Sequence, residues 1–477
     1  RRVAIRLQSW GIRVDDSAGR PFVKTVPGTF LNLTIDAVRN GFRPAELMSL
    51  LKHPLCRLGF EPFDIRRFGR ALELAAFRGP YLGRGIEGVK AALANAERAK
   101  AEDERQHPAV RRLWQEDWDG ARALVERLEI AFAPLVAVYA KPLGRRLKDM
   151  AAAHIATAEA LAALPAPDSE NGDVPANPLW QGEAGEAANT FFAGLLDTAM
   201  PLIEISAKDY GDLYRSLLAR ENVRERTPVH PRLSIWGPFE ARLQQPDILV
   251  LGSLNDGTWP EAAEPGAWLN RPMRAALGLP SPEEDIGRSA HDFISFLGAE
   301  RVYLTRAEKI KGVPTVPSRW LMRLKALLNG LELADAIEAD RPWLGWARAR
   351  DSIDGTTRIK ISAPAPTPAL DLRPRRMSVT RVEEWIRNPY AVFARAILKL
   401  EPLPALGIAP DQSLRGGLVH EVLSRFAIAY PGAMPGALPG DDYRVLEKIA
   451  TEVLEDYTGH PRVAAFWMPR LHRFLTW

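Results

Sequence analysis

The chain has 477 residues, 46% of them hydrophobic and 26% charged, with a formal net charge of +4 at pH 7. That length exceeds what one core serves, so about two to four domains are expected, with the composition of an ordinary soluble globular protein. A charge so near balance excludes recognition of nucleic acid by overall polycationic character; any polyanion-binding face has to be a local patch.

The opening, LQSWGIRVDDSAGRPF, predicts a helix end at Trp10-Gly11, a short strand over Ile12 to Val14 and a polar turn from Asp15 to Gly19. Thr29 to Leu51 reads as mostly helical with a break near Gly41; Leu47, Leu50 and Leu51 share a face, and Pro54 ends the run. Cys56 is the only cysteine, which rules out an internal disulfide and a cysteine-rich metal or iron–sulfur centre. It is expected to be a small buried residue. Gly88 to Leu164 is alanine-rich and charged, composed of strong helix formers. Trp114 and Trp118 lie four apart and are expected to pack against a neighbour. Mixed basic and aromatic residues can mark a DNA-binding face, but in a helical region they are commonly core plus solvated charge. Pro165 to Pro178 reads as a loop, and Glu186 to Arg220 returns to helix.

Leu233 to Ala307 alternates in kind. Asp247 to Leu251 is a short apolar run closed by Gly252 and Asn255-Asp256-Gly257, which predicts a strand covered on both faces and then a tight turn. Pro260 bars the ladder from continuing. Ser281-Pro282-Glu283-Glu284 has the form of a capping box with proline at the first helical position. Ile286, Ala290, Phe293, Ile294 and Leu297 then follow at helical spacing, with Gly298 as the stop. Arg301 to Arg306 is strand-like again. Strand, turn, helix, strand is the unit of a parallel α/β sheet. One more helix follows Trp320, and the chain drifts without pattern from Asp340 to Ile361. Ala363 to Arg376 is a proline-spaced, basic-ended spacer that could lie along DNA.

A new domain begins at Met377. Thr380 and Glu383 can form a capping box, and Asn388-Pro389 restarts a helix with an apolar stripe of Tyr390, Phe393, Ile397 and Leu400. In RGGLVHEVLSRF, residues Leu418, Val419, Val422, Leu423 and Phe426 form one face, and His420 projects from its edge. Eight histidines without a close-spaced pair suggest no zinc site. No signal peptide or membrane-spanning run is visible. Both ends, Arg1 and Trp477, read as cuts in a longer protein.

The phrases IWGPFEAR, DILVLGSLNDGTWP and LTRA, in that order, resemble the second motor domain of superfamily-one DNA helicases. There a histidine–x–alanine–lysine–glycine–leucine–glutamate block precedes a strand, a loop ending in Phe-Pro or Trp-Pro, and a Thr-Arg-Ala motif. SVTRVEEWIRNPYAVFARAILKL and RGGLVHEVL resemble the opening of RecB-type nuclease domains. Together these place the chain beside the AddB-like subunits of AddAB helicase–nucleases.

The resemblance implies an α/β fold: a degenerate helicase motor domain with a parallel sheet and a large helical insertion, then the helical start of a PD-(D/E)xK nuclease domain. It divides the chain into 1–60 (start of the second motor domain), 61–230 (helical insertion), 231–345 (return of the motor domain), 346–376 (linker) and 377–477 (truncated nuclease domain). It implies nuclease activity on double-strand DNA ends during recombinational repair in the bacterial cytoplasm, with an AddA-like partner subunit using the ATP. His420 stands where the family has a catalytic histidine, which acts with Mg²⁺-holding carboxylates and a lysine that this chain does not supply. Arg306 stands where the family's arginine reaches the γ-phosphate; the plainer reading is an ion-paired arginine at a strand end. Three departures limit the likeness. Gly237, Pro238 and Phe239 replace the block's lysine and glycine, no G-x-x-x-x-G-K-[ST] loop is present, and Asn388 stands where an iron–sulfur branch has cysteine. ATP turnover by this chain and an iron–sulfur cluster are therefore not expected, and the fragment alone should be inactive. A DNA-binding scaffold without catalysis is the alternative.

Overall fold

The computed structural model describes all residues except 1, 80, 82, 103–105, 141–143, 167–175, 198–203, 225–229, 338–341, 353–358, 409–411, 430–441, 456–462 and 476–477. The fold is mixed α/β and rich in helix, with small parallel sheets. The chain divides into two units, each assembled from separated segments: residues 1–18 with 227–363, and residues 19–226 with 364–477. The divisions between the units fall at 18/19, 226/227 and 363/364.

In the helical unit, Thr25 caps the helix Val26–Arg39 by accepting from the Gly28 amide at 3.1 Å. A Cβ at Gly28 would sit 2.0 Å from the Phe22 carbonyl oxygen, so only glycine fits that turn. The helix buries Phe30, Leu31, Thr34 and Ile35. It stops at Asn40-Gly41, where Gly41 takes φ +66°, and Pro44–Leu51 starts anew, as the sequence predicts. Gln115–Tyr139 and Leu147–Ala162 pack against each other and against Val26–Arg39, and Gln115–Tyr139 also packs against Pro62–Leu72. Their approach is close: a Cβ at Gly120 would lie 2.0 Å from the Phe68 ring. Trp118 is buried there, but Trp114 caps the helix from outside at 73% exposure, so the two tryptophans do not share a packing face.

His154 is fully buried in this unit. Its ring nitrogens lie 3.1 Å from the Tyr210 hydroxyl and 3.0 Å from the Leu31 carbonyl oxygen, and Phe192 and Tyr214 pack on the ring. The unit's neck is an antiparallel pair, Arg20–Pro21 with Asn222–Val223. The segment after the spacer returns to this unit: Gly407 donates to the Phe77 carbonyl and Ile408 to the Gly79 carbonyl, each at 2.9 Å. The helix Gln412–Ala429 then packs Leu418 and Val422 on Ala450, Val453 and Leu454 of Asp442–Glu455 and on Trp467 and Leu471. Leu423, expected on that face, is 42% exposed.

In the α/β unit, Asp15–Asp16 pairs in parallel with Ser234–Ile235, and Ile248–Leu251 pairs in parallel with Arg301–Leu304. The second pair is joined through the helix Glu283–Phe296. Half of the expected capping box forms, with the Ser281 amide donating to the Glu284 carboxylate at 3.0 Å. Leu251, Leu254, Phe293, Phe296, Trp320 and Leu321 make the core, with Leu249, Val302 and Leu304 against it. Each large side chain withdrawn from water contributes about 1.5–3 kcal/mol.

Three expectations are corrected here. The strand Ile248–Leu251 is covered on one face only: Leu249 and Leu251 point inward, while Ile248 and Val250 are half exposed. On the helix, Phe296 takes the core position expected of Ile294, which is 69% exposed. Arg242 explains the rotation of that face, because it holds the buried Asp292 through two bonds of 2.8 and 2.9 Å. The stretch expected to drift holds a further helix, Pro342–Asp351.

Candidate functional site

The chemistry-bearing residues of the α/β unit gather where the parallel pair ends. Side chains at the carboxyl ends of parallel strands point into the crevice where α/β sheets bind ligands. Here both strands end together. The Thr305 amide donates to the Leu251 carbonyl at 2.9 Å, and the Leu254 amide to the Thr305 carbonyl at 3.0 Å. The two loops that follow, Gly252 to Pro260 and Thr305 to Ala307, are joined by one buried side chain. Asn255, 3% exposed, donates to the Ala307 carbonyl and to the Thr315 hydroxyl, both at 2.7 Å, and accepts from the Ala307 amide at 3.1 Å. Further along, the Asp256 amide donates to the Val316 carbonyl and the Ser318 amide to the Leu254 carbonyl, each at 2.9 Å. Trp259 precedes a cis peptide bond to Pro260, and its ring lies edge-on against Phe293 and Phe296.

This arrangement leaves Arg306 at the tip. Its neighbours Thr305 and Ala307 are both fixed by main-chain bonds, while its own side chain is exposed and makes only a long 3.4 Å bond to the Ala307 carbonyl. Among the described residues no carboxylate pairs with it, so the ion-paired strand end that sequence suggests is absent. A guanidinium presented this way can offer a fork of donors to a phosphate or carboxylate. Arg319 stands 4.0 Å from Asp256, both side chains about half exposed.

The Gly237-Pro238-Phe239 replacement forms the first turn of a short helix, Pro238–Ala241. Pro238 has no amide to donate, and Phe239 is 74% exposed. The Gly237 amide is taken by the Ser17 hydroxyl at 3.0 Å. What remains cationic there is Arg242, turned under the Phe239 ring and onto Asp292, which raises its pKa. Arg242 is thus committed to Asp292 and is not free to meet a phosphate.

His420 belongs to the helical unit and Arg306 to the α/β unit. His420 is exposed on the polar side of Gln412–Ala429, next to the Glu421–Arg425 pair at 2.7 Å. Its helix rests on other helices. Among the described residues no three His, Cys, Asp or Glu side chains are grouped to hold a metal ion. One imidazole does not meet the several oxygen donors that Mg²⁺ takes, so the residues around His420 do not fit that ion. Asn388, at the iron–sulfur position, caps the helix Pro389–Val392 by accepting from the Ala391 amide at 3.3 Å. Cys56 is buried at 1% exposure, and burial pushes its thiol up to about 12. The Val379–Arg387 cap is Ser378, two residues before the Thr380 expected. Tyr390 and Leu400 of the expected stripe are about half exposed, and Val392 is the buried residue.

No protein-family profile matches the chain. It is similar to uncharacterized proteins of three Rickettsia species. With those of Rickettsia bellii and Rickettsia conorii it is 23% identical over 254 and 258 residues, and with that of Rickettsia felis 24% over 260. These alignments cover 53% of this chain and 28–29% of those proteins. The match thus spans less than a third of the relatives' length. Over 77 residues the chain is 35% identical to an ATP-dependent helicase/deoxyribonuclease subunit of Latilactobacillus sakei, which is 16% of this chain and 6% of that protein. The likeness is to a helicase–nuclease subunit. No helix among the described residues is long and apolar enough to cross a membrane.

Proposed function

We propose that this chain is part of an AddB-like subunit of an ATP-dependent helicase–nuclease that works on double-strand DNA ends in the bacterial cytoplasm. The observation that supports this best is the Asn255-bound pair of loops, which presents Arg306 at the carboxyl end of a parallel strand pair. The same order of strand, Trp-Pro loop and Thr-Arg-Ala suggested a helicase motor, and the Latilactobacillus sakei protein carries that function in its name. In this reading the motor-like unit keeps its frame and has lost ATP turnover, since Gly237, Pro238 and Phe239 stand where the block has its lysine and glycine. An AddA-like partner supplies the ATPase. His420 serves a nuclease of PD-(D/E)xK type, whose Mg²⁺ ligands are residues other than those described around it.

The test uses the full-length protein with its partner subunit on a linear duplex labelled at either end. His420→Ala is expected to abolish degradation of one strand and to leave DNA-stimulated ATP hydrolysis unchanged. An exposed residue off the buried face costs about 0.5 kcal/mol or less when replaced, so the variant should stay folded. Undiminished degradation of both strands would overturn the role of His420. ATP hydrolysis by the 477-residue chain alone would overturn the inactive motor.

A further inference from the structure

We propose that a groove beside the helix Val379–Arg387 binds the sugar–phosphate backbone of a single DNA strand through Arg381, Arg387 and Arg395, a site that rests on the DNA-processing reading above. The groove has a volume of about 460 Å³ and is lined by Ser378, Thr380, Arg381, Glu384, Arg387 and Arg395 among others. Residues 381, 384 and 387 recur every third position and so share one face of the helix. Arg395, from the turn after the next helix, donates to Glu384 at 2.9 Å. That bond neutralises Glu384 and leaves Arg381 and Arg387 on either side of it. Among the described residues neither has a carboxylate partner. Six residues apart, they stand about 9 Å apart along the axis, within reach of successive phosphates for two long side chains.

The lining chemistry narrows the ligand. All the lining residues are polar or charged, and three guanidinium groups with two hydroxyls suit a polyanion; a compact organic ligand usually takes a pocket lined mostly by apolar side chains. The planar fork of arginine fits phosphate oxygens in pairs. Ser378 and Thr380 add two hydroxyls, 3.1 Å apart, at one end of the groove. Trp385 is four residues from Arg381 and 51% exposed, so an aromatic face lies beside the cationic one. A base freed from its partner strand can stack there, which selects single strands over duplex. Glu383 also lines the groove, and its negative charge weakens the grip, which suits a strand that slides.

The experiment measures binding of the chain to a labelled oligonucleotide of mixed sequence by fluorescence anisotropy over a salt series. Each phosphate contact to a single strand contributes about 0.7 to the slope of log affinity against log salt. Arg381→Gln with Arg387→Gln is therefore expected to lower the slope by about 1.4. Glu384→Gln, which removes a negative charge and frees Arg395, should tighten binding. Trp385→Ala should weaken binding to the single strand and leave binding to duplex unchanged. Arg66→Gln with Arg70→Gln, on the helix Pro62–Leu72, removes the same charge elsewhere and should leave the slope in place. If the wild-type chain binds and the Arg381/Arg387 variant keeps the wild-type slope, or the Arg66/Arg70 control loses as much, the groove is overturned while the DNA reading stands. If the wild-type chain binds no oligonucleotide at low salt, both are overturned. A preference for duplex overturns the single-strand assignment. These side chains lie at the surface, and a circular dichroism melt checks that every variant is folded.

Discussion

Replacing Asn255 by alanine tests whether the two loops at the strand ends are held by that one side chain. The substitution removes two bonds of 2.7 Å and one of 3.1 Å. The Ala307 carbonyl keeps a partner, because the Thr315 hydroxyl also donates to it. The Ala307 amide keeps none. A hydrogen bond contributes about 0.5–1.5 kcal/mol net, and an orphaned buried donor costs about 1–3 kcal/mol. Ala307 is only half-buried, so water relieves part of that penalty. The expected cost is about 2 kcal/mol, at the lower end of the sum. Because the chain has two units, one global unfolding free energy would mix them. Amide hydrogen exchange read by peptide avoids this. Peptides covering Arg301 to Val316 should exchange roughly 30-fold faster in Asn255→Ala, since about 1.4 kcal/mol is a factor of ten. Peptides from the helical unit should not change. Asn255→Asp should be no better, because it sets a second oxygen against the Ala307 carbonyl. Unaltered protection at Thr305 to Ala307 in Asn255→Ala would refute the reasoning.

Acid should loosen the helical unit first. Burial lowers the pKa of His154 to about 4, and that of His53 likewise to about 4, from about 6.5 in the unfolded chain. Between those values the unfolded state binds protons that the folded state refuses, so stability is complete above about pH 6.5 and falls as pH drops toward 4. His154 alone accounts for about 3 kcal/mol across that window. Urea midpoints followed by tryptophan fluorescence should fall accordingly and flatten in His154→Gln; equal midpoints at neutral and acid pH would contradict this. Cys56, buried and with its thiol raised, should resist iodoacetamide in the native chain and react in urea; rapid native labelling would contradict that.

Where structure follows from neighbours in sequence, it was legible. The break at Gly41, the strand at Ile248, the helix after Ser281 and the restart at Asn388-Pro389 all rest on local periodicity and capping chemistry. What sequence hid depends on distant partners. Asn255 looks like a turn residue, and its side chain is indeed in a turn, but its bonds reach residues 52 and 60 positions away. Ile248 and Val250 read as buried because an apolar run does not say which face is covered. Ile294 lost its inward place to Phe296 through the Arg242–Asp292 pair, and an ion pair across 50 residues has no signature in a helical repeat. The pairing of Gly407 and Ile408 with Phe77 and Gly79 is equally non-local. Arg306 and His420 were singled out as candidates only through a resemblance. Their exposure was readable from strand and helix position, but periodicity and spacing assign neither of them a role.

The short pair Arg20–Pro21 with Asn222–Val223 has a consequence for how the chain assembles. In the α/β unit, Asp15 and Asp16 must find Ser234 and Ile235 across the whole helical insertion. With the insertion unfolded, that is a very long loop to close. Once the helical unit has formed and its neck is paired, only three residues on one side (17–19) and ten on the other (224–233) separate the two strands from the neck. Loop-closure cost grows with the logarithm of length, so the shortcut spares roughly 2 kcal/mol. The expected order of events is helices first and the parallel pairing afterwards. A cavity cut near Phe30 or Trp118 should therefore slow the appearance of the α/β unit, although it lies outside that unit's core.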